Sequence, residues 1–162
     1  MKNIFLLTGI AVMTFFTGTA QDISDNALGL RAGGGDGFGT EISYQRALGG
    51  NNRLELDLGI RSGDNFDGFQ LTGIYQWLWN IEGGFNWYAG PGAGITSVDY
   101  DTRRDNGDDS ETALLLAGQI GIEYNFDFPL QLSIDTRPAL YFGDNRDDFE
   151  LFDLALGIRY RF

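Results

Sequence analysis

The sequence predicts an all-β fold, an eight-stranded antiparallel up-and-down transmembrane β-barrel, on three observations. Eight segments of the 162-residue chain alternate between apolar side chains and polar or small ones, the pattern of a strand with two different faces. Turn residues, chiefly Gly, Asn and Asp, separate the segments. Aromatic residues, 14% of the chain, collect near the segment ends. Closing such a sheet into a barrel leaves no strand edge unpaired.

The composition excludes several classes of protein. The chain has no Cys and no His, which excludes disulfides, thiolate metal sites and a Ser-His or Cys-His nucleophile pair. Its 11 Lys and Arg stand against 23 Asp and Glu, a formal net charge of -12. That balance argues against nucleic-acid binding, which needs a basic surface. The length fits one domain.

Residues 1–20 are predicted to be a secretory signal peptide. The chain's only Lys precedes a mostly apolar run, Ile4–Phe16, and small residues ending in Ala20 precede Gln21. The run is too short for a membrane-spanning helix, which needs roughly 20 residues. Cleavage is therefore expected between Ala20 and Gln21, with residues 21–162 as the barrel domain. A buried N-terminal helix is the alternative.

The predicted strands follow one rule of alternation along the mature chain. They cover residues 28–33, 41–45, 53–61, 69–79, 85–95, 114–126, 130–142 and 151–162. The last shows the rule best, since Leu154, Leu156 and Ile158 take one parity and small or charged residues the other.

The connections between these strands are of two kinds. Three are short turns, at residues 49–52, 81–84 and 127–129. The other four are more acidic and on average longer, at residues 33–39, 62–68, 98–111 and 143–148. The predicted barrel therefore has a short-turn end and a long-loop end.

The face that is buried decides the class of barrel. A soluble lipocalin-like barrel places its apolar face inside, whereas a membrane barrel turns that face toward lipid. Here one face carries Gly, Ala, Ser, Gln and charged residues, and the other carries Leu, Ile, Trp, Tyr and Phe. Eight strands leave an interior just wide enough for side chains. The polar face therefore fits the inside, with an aromatic-rich soluble core as the alternative.

The aromatic residues fall at both ends of the apolar face, as in the interfacial bands of a membrane barrel. The short-turn band comprises Tyr44, Trp77, Trp79, Phe85, Trp87, Tyr124, Phe126, Tyr160 and Phe162. The long-loop band comprises Phe69, Phe142, Phe149 and Phe152.

Charged residues on the inward parity form the candidate site. Six bases and six acids are expected to face each other in the lumen: Arg31, Arg53, Arg61, Arg137, Arg159 and Arg161 against Glu41, Glu55, Asp57, Glu123, Asp135 and Asp153. Buried charges must be paired, because each unpaired one costs several kcal/mol. Two interpretations follow, a charged constriction and a polar plug. The plug is favoured because the lumen is narrow.

The end of the chain resembles a known family. Gly157, Tyr160 and Phe162 match the spacing of the C-terminal signal read by the barrel-assembly machinery, although Ala155 replaces a usual polar residue. Over residues 27–162 the chain resembles the small eight-stranded outer-membrane barrels of Gram-negative bacteria, the OmpX/OmpA-type and porin-like families. The resemblance implies periplasmic termini and short turns, acidic loops outside the cell, and as partners periplasmic chaperones, the assembly machinery, and outer-membrane lipid with lipopolysaccharide.

No cofactor, metal or catalytic site is expected. Neither Gly33–Gly39 nor Gly90–Gly94 completes a G-x-G-x-x-G motif, and the acidic stretch 98–111 does not fit an EF-hand loop. Lipid-modifying enzymes of the resembled group use a His with a Ser partner, and this chain has no His. The expected function is a non-catalytic structural or surface-interaction protein of the outer membrane. The alternative is a narrow porin-like channel for small solutes or ions.

Overall fold

The computed structural model describes six stretches of the chain, and the predicted signal peptide lies outside them. They are residues 23–33, 39–63, 66–100, 109–143, 148–150 and 153–162. The expected cleavage point, Ala20 and Gln21, is likewise outside the described residues. No helix in these stretches is long and apolar enough to cross a membrane.

Ten strand segments build the sheet. They are β1 (Asn26–Gly33), β2 (Thr40–Gly49), β3 (Asn52–Gly63), β4 (Phe66–Glu82), β5 (Phe85–Tyr100), β6 (Asp109–Asn125), β7 (Leu130–Thr136), β8 (Ala139–Gly143), β9 (Asp148–Glu150) and β10 (Leu154–Arg161). All pairs are antiparallel, β7 with β8 forms the seventh barrel strand, and β9 with β10 forms the eighth. Pairing of β1 with β10 closes the sheet. The predicted eight-stranded antiparallel barrel is confirmed.

The closing seam joins the two ends of the barrel domain. The backbone N–H of Asn26 donates to the carbonyl of Phe162 at 3.0 Å, and the N–H of Phe162 donates back at 2.9 Å. Further along, the ladder runs to Gly33 opposite Ala155. The last residue of the chain is therefore part of the closed hydrogen-bond network.

The seventh strand is interrupted at Pro138, which has no backbone N–H to donate. The partner offset between the seventh and eighth strands changes by one residue across this point. The N–H of Arg137 still donates to the carbonyl of Asp153 at 3.2 Å. The irregularity thus places two predicted lumen residues on facing strands at the same level.

The two faces of the sheet are inverted relative to a soluble barrel. On β10, Ala155 is 1% exposed while its neighbour Leu156 is 64% exposed. The same alternation continues around the sheet, so buried positions are largely polar and exposed ones largely Leu, Ile and aromatic. The physical reason is that residues two apart on a strand lie on the same face.

Strand pairing extends further at the long-loop end than the sequence suggests. β5 and β6 remain paired to Tyr100 and Asp109, inside the stretch expected to be a loop from residue 98 to 111. Similarly, β3 and β4 pair up to Gly63 and Phe66. The expected loop lengths at these two connections were wrong. Polar Ser, Thr and Asp weaken a strand signal, but a neighbouring strand overrides that preference.

Candidate functional site

The barrel interior divides into an apolar part and a charged part. Ile74, Leu115, Ala117, Ala139 and Tyr141, from β4, β6 and β8, form the buried apolar cluster. The charged part is carried mainly by β1, β2, β3, β7 and β10. We call its ten residues the lumen network: Arg31, Glu41, Arg53, Glu55, Asp57, Glu123, Asp135, Arg137, Asp153 and Arg159.

Arg31 on β1 joins three acidic residues. Its Nε and Nη2 donate to Oδ1 of Asp135 at 3.0 and 2.7 Å. Its Nη1 donates to Oε2 of Glu41 at 3.1 Å and lies 2.9 Å from Oδ2 of Asp153. The Arg31 side chain is 2% exposed, so these charge-assisted bonds operate away from bulk water.

Arg137 stands in the interruption between β7 and β8 and reaches across the lumen. Its Nη1 donates to Oδ2 of Asp57 at 2.8 Å, and its Nη2 donates to both carboxylate oxygens of Glu41. Its Nε is 3.8 Å from Oδ2 of Asp153. The seventh strand is thereby tied to β2 and β3 on the opposite wall.

Arg159 on β10 makes one hydrogen bond with each of its three nitrogens. Nη2 donates to Oε2 of Glu55 at 3.1 Å, and Nε and Nη1 donate to the hydroxyls of Ser43 and Ser133 at 2.9 Å each. A Cβ on Gly157 would overlap the Ser133 hydroxyl and crowd this guanidinium. The Gly of the predicted terminal signal therefore also makes room for the Arg159 side chain.

Arg53 on β3 lies in a polar and aromatic setting. Its Nη1 is 2.8 Å from Oε2 of Glu123, its Nε donates to Oε1 of Gln76 at 2.7 Å, and its guanidinium lies 5.2 Å from the centre of the Tyr88 ring. The Tyr88 hydroxyl donates to Oδ2 of Asp135 at 3.1 Å. This links the two sides of the network.

Buried amides complete the network, and the sequence analysis did not single them out. Gln76 Nε2 donates to Gln119 Oε1 at 2.6 Å, and Gln119 Nε2 donates to Glu55 Oε1 at 2.9 Å. Gln45 Nε2 also donates to Glu55. These residues carry no charge, so a search for charged positions overlooks them. Their inward parity was the available signal.

Two residues of the predicted lumen set lie near the ends of the barrel and are not fully buried. Arg61 is exposed toward the long-loop end of β3. Arg161 is half-exposed and donates to the backbone carbonyls of Phe126 and Phe128 at the short-turn end. Parity predicts the face of a strand residue but not its depth along the barrel, so the sequence did not predict the exposure of these two residues.

Several aromatic side chains of the short-turn band pack against one another. Trp79 and Trp87 stack with ring centres 4.2 Å apart and an angle of 17° between planes. Tyr124 contacts Phe85 and Phe126 at 4.5 and 4.7 Å. Of the long-loop band, Phe69 and Phe142 face outward and are exposed, whereas the side chains of Phe149 and Phe152 are outside the described part of the chain.

The network joins strands through the barrel interior. Each of its guanidinium groups contacts a carboxylate from another strand, so ion pairs across the lumen connect the strands of the barrel wall. Within the described stretches, no three acidic, His or Cys side chains are arranged to hold a metal ion.

Comparison with known proteins identifies the fold. No family model matches the chain, and no curated protein matches it in sequence. The crystal structure of Neisserial surface protein A (NspA) matches with a TM-score of 0.62 and 14% identity, over 86% of this chain and 94% of that one. The N-terminal β-barrel domain of Pseudomonas aeruginosa OprF matches with a TM-score of 0.57 and 13% identity, over 89% and 100%. The chain has the fold of these barrels. The finer OmpX/OmpA-type resemblance stays a prediction.

Proposed function

We propose that the protein is a non-catalytic integral barrel of a bacterial outer membrane, with a structural or surface-interaction role. The observation that carries the proposal is the inversion of its faces. A sheet whose exposed side is apolar and whose interior is ionic is suited to lipid and unsuited to water. Exposed residues such as Ile60, Leu114, Leu154 and Leu156, each at least 60% exposed, belong to this outer surface.

The ends of the barrel support an orientation. Acidic residues occur at the long-loop end, where Asp67 and Asp99 lie opposite each other on β4 and β5 and are both exposed. We assign this end to the cell exterior and the short turns, with both termini of residues 21–162, to the periplasm. Residues 1–20 are then the export signal.

The C-terminal strand supports a proposed route of assembly. Tyr160 and Phe162 face outward on β10 and are about as exposed as the lipid-facing aliphatic residues, at 59% and 61%. An exposed terminal aromatic pair is available to the barrel-assembly machinery before insertion. Periplasmic chaperones, outer-membrane lipid and lipopolysaccharide are the other proposed partners.

Brominated lipids test whether the outer face contacts the bilayer. We expect strong quenching of Trp77 fluorescence in vesicles of brominated phospholipid, because its side chain faces outward and is 42% exposed. The measurement uses the variant Trp79→Phe/Trp87→Phe, in which Trp77 is the remaining Trp. Quenching should be strongest with bromine near the headgroup, since Trp77 belongs to the short-turn band.

Aqueous iodide is the control for this experiment. Iodide should quench Trp77 weakly in vesicles and strongly in urea. Efficient iodide quenching of the folded protein, without quenching by bromine at any depth, would contradict a membrane-embedded barrel.

The lumen network also bears on the choice between the two functions that the sequence left open, a structural or surface-interaction protein and a narrow channel. We propose that it acts as a plug, because buried ion pairs span the interior from β1, β7 and β10 to β2 and β3. In planar bilayers the wild type should give no discrete conductance steps. Steps in the wild type that change in Arg137→Ala or Asp135→Ala would instead establish the narrow channel. Heat-dependent gel mobility of each protein verifies that it is folded.

A further inference from the structure

The fully buried part of the lumen network does not balance its charge. Among side chains that the structure describes, the buried charged ones are four Arg and five acids, so one negative charge is unmatched: Arg31, Arg53, Arg137 and Arg159 against Glu41, Glu55, Asp57, Glu123 and Asp135. Asp153, whose side chain is 14% exposed, adds a carboxylate at the edge of this set. An uncompensated buried charge is unfavourable by several kcal/mol. The folded barrel therefore needs a further positive charge.

The hydrogen bonds identify the carboxylate that is least compensated. Three of the five buried carboxylates accept a hydrogen bond at both oxygens: Glu41, Glu55 and Asp135. Glu123 accepts hydrogen bonds at Oε1, and its Oε2 has no hydrogen-bond partner but lies 2.8 Å from Nη1 of Arg53. Asp57 differs from them. Its Oδ2 accepts one bond from Arg137, while its Oδ1 is buried without a hydrogen-bond partner. Arg137 itself gives two of its bonds to Glu41.

A second unpartnered group faces Asp57. Thr72 lies directly opposite it in the β3–β4 ladder, and the Thr72 Oγ1 is also buried without a hydrogen-bond partner. A hydroxyl both donates and accepts, so it could bond either an ionised or a protonated carboxyl. The ladder places this hydroxyl opposite Asp57 without a hydrogen bond between the two, and the charge count favours the protonated carboxyl.

Charged groups of both signs surround Asp57. Two further carboxylates interact with it, Glu41 on β2 and Glu55 on its own strand, and its cationic neighbours are Arg137 and Arg159. Both guanidinium groups are shared with those same two carboxylates. Opposite Asp57 on β2 lies Ser43, a neutral residue whose hydroxyl also interacts with the carboxyl. A proton is the smallest positive charge that the site can take.

We propose that the lumen network is a proton-binding site and that Asp57 holds the proton in the folded barrel. Its Oδ1 donates that proton to the Thr72 hydroxyl, while its Oδ2 continues to accept from Arg137. The interior plug is then neutral except at its solvent-facing edge, at Asp153. This inference rests on the folded barrel alone, so it holds whatever the outer loops bind.

Asp57→Asn tests the proposal, because an amide has the size and the donor of a protonated carboxyl. An Asp in the unfolded chain is ionised above about pH 5, so a folded state that keeps the proton is destabilised as the pH rises. From about pH 5 to about pH 8, the unfolding equilibrium constant of the wild type should increase about tenfold per pH unit relative to Asp57→Asn. Urea unfolding in micelles, with coincident folding and unfolding curves, measures this ratio.

Glu123→Gln is the matched control, since Glu123 is also buried but contacts Arg53. Its stability relative to the wild type should not change over the same pH range. A pH-independent ratio between wild type and Asp57→Asn would overturn the proposal. So would a stability that depends on whether the buffer cation is sodium or potassium.

Infrared spectroscopy keeps the proposal testable if Asp57→Asn does not fold. The wild type labelled with ¹³C at its Asp carboxyls should show a protonated-carboxyl stretch at neutral pH, and the band should move in Thr72→Val. Absence of that band in the folded wild type would show that Asp57 is ionised.

Discussion

Replacing Arg31 with Met is expected to lower the free energy of unfolding by about 3–5 kcal/mol, the usual cost of removing one partner from a buried ion pair. The side chain is 2% exposed and contacts Asp135, Glu41 and Asp153. Met keeps the apolar length of Arg but leaves those carboxylates with less compensation. Urea unfolding in micelles, followed by Trp fluorescence, gives the change.

Arg46→Met is the control for the Arg31 variant. Arg46 is exposed, and its Nη1 donates to Oδ1 of Asn26 at 3.1 Å, so its loss should cost less than about 1 kcal/mol. The double variant Arg31→Met/Asp135→Leu should recover part of the stability lost in Arg31→Met. It removes the Asp135 carboxylate, which the single variant leaves buried without its cationic partner. Equal effects of Arg31→Met and Arg46→Met would contradict a stabilising role for the network.

Gly90→Ala is expected to destabilise the barrel by more than about 2 kcal/mol, or to prevent its closure. A Cβ at this position of β5 would overlap the carbonyl oxygen of Tyr75 on β4. A backbone carbonyl cannot change its conformation as a flexible side chain can, so β4 and β5 would have to move apart. The folded fraction by gel mobility and the unfolding midpoint measure the effect.

Gly118→Ala is the matched control for Gly90→Ala. Gly118 lies on the neighbouring strand β6, opposite Pro91, and a Cβ there meets nothing within 4 Å. Its substitution should change stability by about 0.5 kcal/mol or less. If both variants lost the same stability, the cause would be a general effect of Ala in these strands, and close approach of β4 to β5 would be refuted.

The sequence predicted the face of almost every strand residue it assigned. Alternation at a period of two is a local property, and one buried face makes it decisive for the register of a strand. It placed Ala155 inward and Leu156 outward, as the structure has them. Turn chemistry likewise located the short connections, where Gly49, Gly50 and Gly83 adopt positive φ. Fold class and inversion of the faces therefore followed from the sequence.

The sequence did not predict how far along the barrel axis each inward side chain lies, or which side chains it contacts. Alternation assigned Arg61 and Arg161 to the inside, and the structure places both near the ends of the barrel. Arg31 and Asp135 are 104 residues apart in the chain, so no local pattern could join them. Their meeting depends on barrel closure and on the offset at Pro138.

The sequence by itself thus determined an eight-stranded barrel with a polar interior and an apolar exterior, because each strand carries that information in its own alternation. Only the tertiary structure decided which charges are buried together. Of the expected six bases and six acids, it buries four Arg and five acids, and it leaves Asp57 Oδ1 without a hydrogen-bond partner on a residue opposite Thr72 in the ladder. Such an imbalance arises across the lumen, between residues that the closed ladder brings together, and it has no counterpart in the linear order of the chain.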